Sequence, residues 1–158
     1  MGENLTAFRE EVSEWLKASF PTALKGQAGA IVEGASQRDG LKGDALAWRK
    51  ALAAKGYGAP TWPTQYGGAG LSHPEAKVLG EEMSKVGAIN PIPVLAGMGI
   101  TMVGPTVLEY GTDEQKAKHL PGIASGEIRW CLGLSEPNAG SDLASLSTKA
   151  VVDGDNFV

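Results

Sequence analysis

Near residue 127 the hydrophobic pattern changes period, and that change restricts the chain to a helical part followed by a strand-forming part. Before it, Leu5, Phe8, Val12, Trp15, Leu16 and Phe20 recur at helical spacing, and Pro21 stops the run. After it, Ile128, Trp130, Leu132 and Leu134 alternate with Arg129, Cys131 and Gly133, as on a strand with one buried face. Pro137 cannot donate to a sheet ladder, so that strand is expected to end near Glu136. Leu146, Thr148, Ala150 and Val152 share one face of a second expected strand. Asp153-Gly154 signals a turn, and Phe157-Val158 would begin a third. The expected fold class is mainly α over residues 1–126, then β over residues 127–158.

Further helices are expected in the first part. Asp44 is expected to cap a helix that carries Ala45, Trp48 and Leu52 on one face and ends at Lys55-Gly56. Ser72-His73-Pro74-Glu75 is a capping box with proline in the first turn, ahead of Ala76, Leu79, Met83 and Val86. Another stretch runs from about Pro93 through Leu95, Met98, Met102 and Val103, with Pro105 expected to kink or restart it. Thr112 and Gln115 form a second capping box, whose helix is expected to stop at Pro121. Residues 21–43 are Ala/Gly-rich and carry no clear period.

The length, 158 residues, suits one domain or one domain and part of another. Two or three strands alone are marginal and would leave exposed edges, so the chain reads as the N-terminal portion of something larger. A net charge of −4 gives no reason to expect nucleic acid or a membrane surface as partner. No apolar run is long enough to span a bilayer, and the acidic, amphipathic N-terminus has neither signal-peptide nor transit-peptide character. With Cys131 as its sole cysteine the chain forms no internal disulfide, and a cytoplasmic, reducing location is expected. Cys131 itself is expected to be a small buried hydrophobe in a strand.

Several chemical readings fail on spacing. Gly97-Met98-Gly99 followed by Gly104 misplaces the third glycine of a dinucleotide fingerprint and follows no strand. Gly67-Gly68-Ala69-Gly70 lacks the Lys-Ser/Thr of a P-loop and reads as a tight interhelical turn. His73 and His119 have no second ligand at metal-binding spacing and are expected at the surface near helix ends, so no metal is expected. Asn138, Ala139, Gly140, Ser141 and Asp142 form a small, polar loop after the first strand. By composition it is either an ordinary hairpin loop or a loop whose N–H groups and hydroxyls approach a flat or anionic ligand. Glu136 beside it is a candidate general base.

The run Gly133-Leu134-Ser135-Glu136-Pro137-Asn138-Ala139-Gly140-Ser141-Asp142, with the small Ser145 after it, resembles the signature of the acyl-CoA dehydrogenase family. Asn138 stands where many members carry glycine. Trp62-Pro63 through Gly67-Gly68-Ala69-Gly70-Leu71-Ser72 is similar to the family's Gly-rich segment. Tyr110 through Lys116, Leu120-Pro121 and Ser125-Gly126-Glu127 also match its pattern.

The resemblance implies a middle domain of barrel-like β structure, begun here at residue 127, and a later helical bundle. It implies an FAD-dependent oxidoreductase of fatty-acid or other lipid metabolism, in which a carboxylate removes the proton at C2 of an acyl-CoA while hydride leaves C3 for flavin N5. It places the flavin edge against Leu132, Gly133 and Leu134, the Ser135 hydroxyl near N5, and Gly140 where the loop approaches closely. Ser141 would bond a flavin phosphate or the CoA side, and Asp142 would brace the loop. Met98, Thr101 and Met102, which look like helix core, match a helix that lines the acyl pocket in the family. Members take the catalytic carboxylate from the later helical region, so no catalytic residue is expected in this chain, Glu136 included. An electron-transfer flavoprotein-type acceptor and a homo- or hetero-oligomeric dimer or tetramer are implied as well. Two other readings stay open: a same-scaffold flavoenzyme acting on a nitroalkane or amine, and a non-catalytic subunit completed by a partner.

Overall fold

The computed structural model describes residues 2–37 and 40–158. Its first helix, α1 (Gly2–Ser19), packs along α4 (His73–Val86). The apolar stripe on α1 buries Val12 and Leu16 completely, as its spacing requires. Charge pairing ties the same helices together. Arg9 donates to Glu81 at 2.7 Å and to Glu82 at 2.5 Å, and Lys85 donates to Glu82 at 2.6 Å. Glu82 is buried, and hydrogen bonds from Lys85 and then Arg9 hold its carboxyl below the ordinary range.

Helix α3 (Gly43–Ala54) buries Trp48 and Leu52 in the same core. The expected cap is displaced by two positions: Lys42 is the N-cap, and Asp44 lies inside the first turn, where its charge still favours the positive helix end. Trp48 meets Trp15 and Phe20, with centroids 5.4 and 5.0 Å apart, and its Nε1 donates to the Ile89 carbonyl at 2.8 Å. Gly56 ends the turn after α3 at φ +74, and a Cβ there would lie 2.4 Å from the Gly68 backbone, so the Gly-rich turn closes directly on it.

The Ser72 capping box is formed in full. Ser72 N–H donates to Glu75 Oε2 at 2.8 Å and Glu75 N–H to Ser72 Oγ at 3.4 Å. Replacing Ser72 with alanine should lower the melting temperature by about 2–4 °C, the size of one lost N-cap in a chain of this length. Ser72→Asp should restore it, and a flat response to both in a thermal melt would mean that the cap is replaced by solvent.

Other departures lie in α2 (Ala28–Ser36), in the break before α6 (Gly104–Tyr110) and in the end of α7 (Asp113–Ala124). Helix α2 forms in the segment without a clear period and buries Ile31 and Ala35. Between α5 (Ile92–Ala96) and α6 the chain breaks at Gly97 and winds through a π-helical turn, Gly99–Val103, while Pro105, in the first turn of α6, restarts the helix as expected. Helix α7 begins at the Thr112 capping box but runs through Pro121 instead of stopping there. Burial of Leu120, Ile123 and Ala124 against Ala59 and Trp62 outweighs the missing hydrogen bond.

Beyond α7 the chain is mostly extended. The strand expected over residues 128–134 is not formed; Trp130 makes a single parallel bridge to Gly97. Ladder hydrogen bonds need a neighbouring strand, and among the described residues none lies beside 131–135. Strands β1 (Val152–Asp153) and β2 (Asn156–Phe157) pair antiparallel, Val152 opposite Phe157, around a two-residue loop with Gly154 at φ +58. That is the turn foreseen at Asp153-Gly154, although Leu146, Thr148 and Ala150 lie outside any strand.

Candidate functional site

The segment from Trp130 to Thr148 leaves the helical core at one fixed point. Trp130 N–H donates to the Ala96 carbonyl at 3.0 Å, and Met98 N–H donates to the Trp130 carbonyl at 3.1 Å. Its indole packs edge-on against the His119 ring, centroids 5.5 Å apart. His119 is therefore half-buried, not a free surface residue; His73 is exposed at the start of α4, as expected.

Past Trp130, residues 131–135 run extended with no backbone hydrogen bond among the described residues. Leu132 and Leu134 are exposed where the alternation had placed a buried face, and Cys131 is exposed, not buried. Leu132, Gly133, Leu134 and Ser135 thus present a row of open amide N–H and carbonyl groups, with the Ser135 hydroxyl at its end. A Cβ at Gly133 or Gly140 would meet nothing within 4 Å, so both glycines face open space.

Glu136 organises the loop that follows. Its carboxylate accepts from the Ser147 N–H at 3.0 Å, the Ser147 hydroxyl at 2.9 Å, the Thr148 N–H at 2.7 Å and the Thr148 hydroxyl. These bonds, that of the Thr148 hydroxyl foremost, hold the carboxyl at about 2. A carboxylate so acidic and so fully engaged is a poor base. It is a clamp on the loop. Asp142, expected to brace the loop, accepts at its carbonyl from Ser145, from the hydroxyl at 2.8 Å and the N–H at 3.2 Å. Within the clamp, Glu136 and Ala139 exchange backbone hydrogen bonds at 3.1 Å around Pro137-Asn138, which presents Gly140 and Ser141 at an exposed tip.

Met98, Thr101 and Met102 are exposed, not core as their spacing suggested. They adjoin the loop through the Met98–Trp130 hydrogen bond, and Thr101 Oγ1 lies 4.0 Å from Met98 Sδ. A cleft of about 650 Å³ lined by Leu41, Leu46, Arg49, Leu95, Glu127 and Arg129 shares none of these residues. Among the described residues no cluster of His, Cys, Asp and Glu could hold a metal, and no helix is long and apolar enough to cross a membrane. Sequence reasoning missed Trp130, Gly97 and the partners of Glu136, because each acts through a residue distant in the chain.

Residues 3–127 match the acyl-CoA dehydrogenase N-terminal domain. The chain is 38% identical over 156 residues to the acyl-CoA dehydrogenase FadE26 of Mycobacterium tuberculosis, covering 97% of this chain and 37% of that protein. A solved structure titled as the Tcur3481-Tcur3483 steroid ACAD superposes with a TM-score of 0.63 at 36% identity, over 99% of this chain and 38% of that one. The ChsE4-ChsE5 complex from Mycobacterium tuberculosis gives 0.55 at 32% identity, over 98% and 36%. The chain thus spans well under half the length of the relatives it matches.

Proposed function

The chain belongs to the acyl-CoA dehydrogenase family, and from that premise we propose that it is the flavin- and acyl-CoA-binding N-terminal part of an FAD-dependent acyl-CoA dehydrogenase. In this reading residues 1–126 are its helical domain and residues 127–158 the start of a β domain. The observation that carries it is the open row of backbone groups at 131–135, held between the Trp130 bridge and the Glu136 clamp. Such a row fits a planar heterocycle whose edge alternates hydrogen-bond donors and acceptors. When bound, FAD supplies the acceptor for the hydride that leaves C3 of the acyl group.

The chain's own residues bind and orient. Backbone groups of Leu132, Gly133 and Leu134 hold the ring edge, and the Ser135 hydroxyl donates to the ring position that gains electron density. Gly140 lets the loop approach, and Ser141 bonds a flavin phosphate or the CoA side. Met98 and Thr101 line the acyl chain, where the pliable thioether suits a bulky group. Similarity to a protein titled a steroid ACAD favours such a group over a short straight chain. The base that removes the C2 proton lies outside this chain, and an electron-transfer flavoprotein-type protein reoxidises the enzyme.

Replacing Ser135 with alanine in the complete polypeptide should weaken FAD retention or slow flavin reduction by about tenfold, the worth of one hydrogen bond. Equal retention and equal reduction rate would remove Ser135 from the site.

A second reading is favoured by the similarity to a complex of two differently named chains: in it this chain is a subunit joined by a partner that completes the flavin site. The deciding experiment is to purify the native polypeptide and record its visible spectrum before and after adding acyl-CoA. A flavin band that bleaches supports the first reading, and one that arises only on mixing with a partner supports the second. No flavin in either preparation overturns both.

A further inference from the structure

We propose that Trp130, seated on Gly97, is a positioning residue for the oxidation: it sets the register between the acyl-lining face at Met98, Thr101 and Met102 and the flavin-facing row at 131–135. The proposal rests on the reading above and assigns a role to residues outside the recognised motif.

The bridge is the one place where the two segments touch through backbone. Trp130 bonds on both sides of Gly97, to the Ala96 carbonyl at 3.0 Å and from the Met98 N–H at 3.1 Å. Leu132 follows two residues later, about 7 Å along an extended chain. Met98 is bonded directly to the Trp130 carbonyl, and Thr101 and Met102 follow within one wide turn. A displacement of the bridge therefore moves both faces relative to each other.

Two glycines make room for it. Gly97 has φ +58 and ψ −127, a conformation that side chains resist, and a Cβ there would lie 2.7 Å from the Trp130 carbonyl oxygen. A Cβ at Gly99 would lie 3.2 Å from indole Cδ1 and 2.9 Å from Ile123 Cγ2. The indole packs against the cluster of Ala59, Trp62, Ala96, Leu120, Ile123 and Ala124. Its Nε1 is buried without a hydrogen-bond partner, so shape and not hydrogen bonding holds the ring. An unpaired buried donor is costly, so the ring's place here rests on packing alone.

The test uses the complete flavin-loaded enzyme and compares Gly97→Ala, Trp130→Ala, Trp130→Phe and a distant core lesion, Leu16→Ala. Gly97→Ala and Trp130→Ala attack the bridge from opposite sides. Both should retain flavin, shift its visible absorption band and lower kcat by about 100-fold, the effect of misplacing reacting groups by about 1 Å. Trp130→Phe keeps the packed ring and should stay close to the parent in both readouts. Leu16→Ala should lower the melting temperature but leave the flavin band and kcat unchanged. If Gly97→Ala does not fold, the two Trp130 variants decide. Lower melting temperatures with an unchanged band and kcat in the bridge variants would reduce Trp130 to a structural residue and overturn the proposal. A parent enzyme that holds flavin but does not oxidise acyl-CoA would instead overturn the reading on which it rests.

Discussion

Replacing Trp48 with alanine should destabilise the chain by about 3–5 kcal/mol, the range for truncating a fully buried aromatic. Among the described residues Trp48 is the largest side chain with no exposure, and it joins α3 to Trp15 and Phe20 and to the Ile89 carbonyl. Its loss leaves a cavity between helices and an unpaired carbonyl, so two penalties add. Against a total stability of about 5–15 kcal/mol, that consumes about a fifth of the margin at the least. Trp48→Phe preserves most of the burial and should cost only about 1–2 kcal/mol, chiefly through the orphaned carbonyl. Urea unfolding followed by circular dichroism distinguishes them. A loss below about 1 kcal/mol for the alanine variant would mean that the helices close around the gap.

The second large effect is expected at Glu136. Its carboxyl titrates from an ordinary value of 4.5 down to about 2 in the folded loop. A depressed value means that the clamp contributes in full above 4.5 and loses its contribution as pH falls toward 2. The Glu136 carboxyl resonance should therefore titrate near 2, and exchange of the Ser147 and Thr148 amides should gain over the chemical rate in the same interval. Glu136→Gln places amide hydrogens against donor groups that need acceptors. It should loosen the loop at neutral pH and lower flavin affinity in the complete enzyme on the order of tenfold or more. A titration midpoint at 4.5, with unchanged flavin affinity in the glutamine variant, would dissolve the clamp.

What could be read in advance follows from how local each signal is. The boxes at Ser72–Glu75 and Thr112–Gln115 are complete within four residues, so the starts of α4 and α7 were legible. Helix α2 was not. Its Ala/Gly-rich sequence has weak propensity, and its order derives from burying Ile31 and Ala35 and from Arg129, which donates to the carbonyls of Ala35 and Ser36. Pro121 misled for the same reason: packing of Leu120 and Ile123 decides the end of α7. The alternation over 128–134 reads as a strand but none forms there, because a strand exists only beside another. In the site, the contiguous motif was legible as a block. The bridge to Gly97 and the clamp on Ser147 and Thr148 were hidden, because each joins positions with no fixed spacing between them.

The π-helical turn at Gly99–Val103 has a consequence for chain length. In an ordinary α-helix, adding or deleting one residue rotates everything beyond it by about 100°, so apolar side chains leave their face. A wide turn already holds an extra residue, and removing one there returns the backbone to regular α winding without turning the segment that follows. Loss of one residue beside the outward Thr101 and Met102 thus leaves Val107 and Leu108 of α6 in contact with the core. Loss of one residue here should therefore be tolerated where the same loss in the middle of α4 would not be, and on the proposed reading this point lies beside the acyl group.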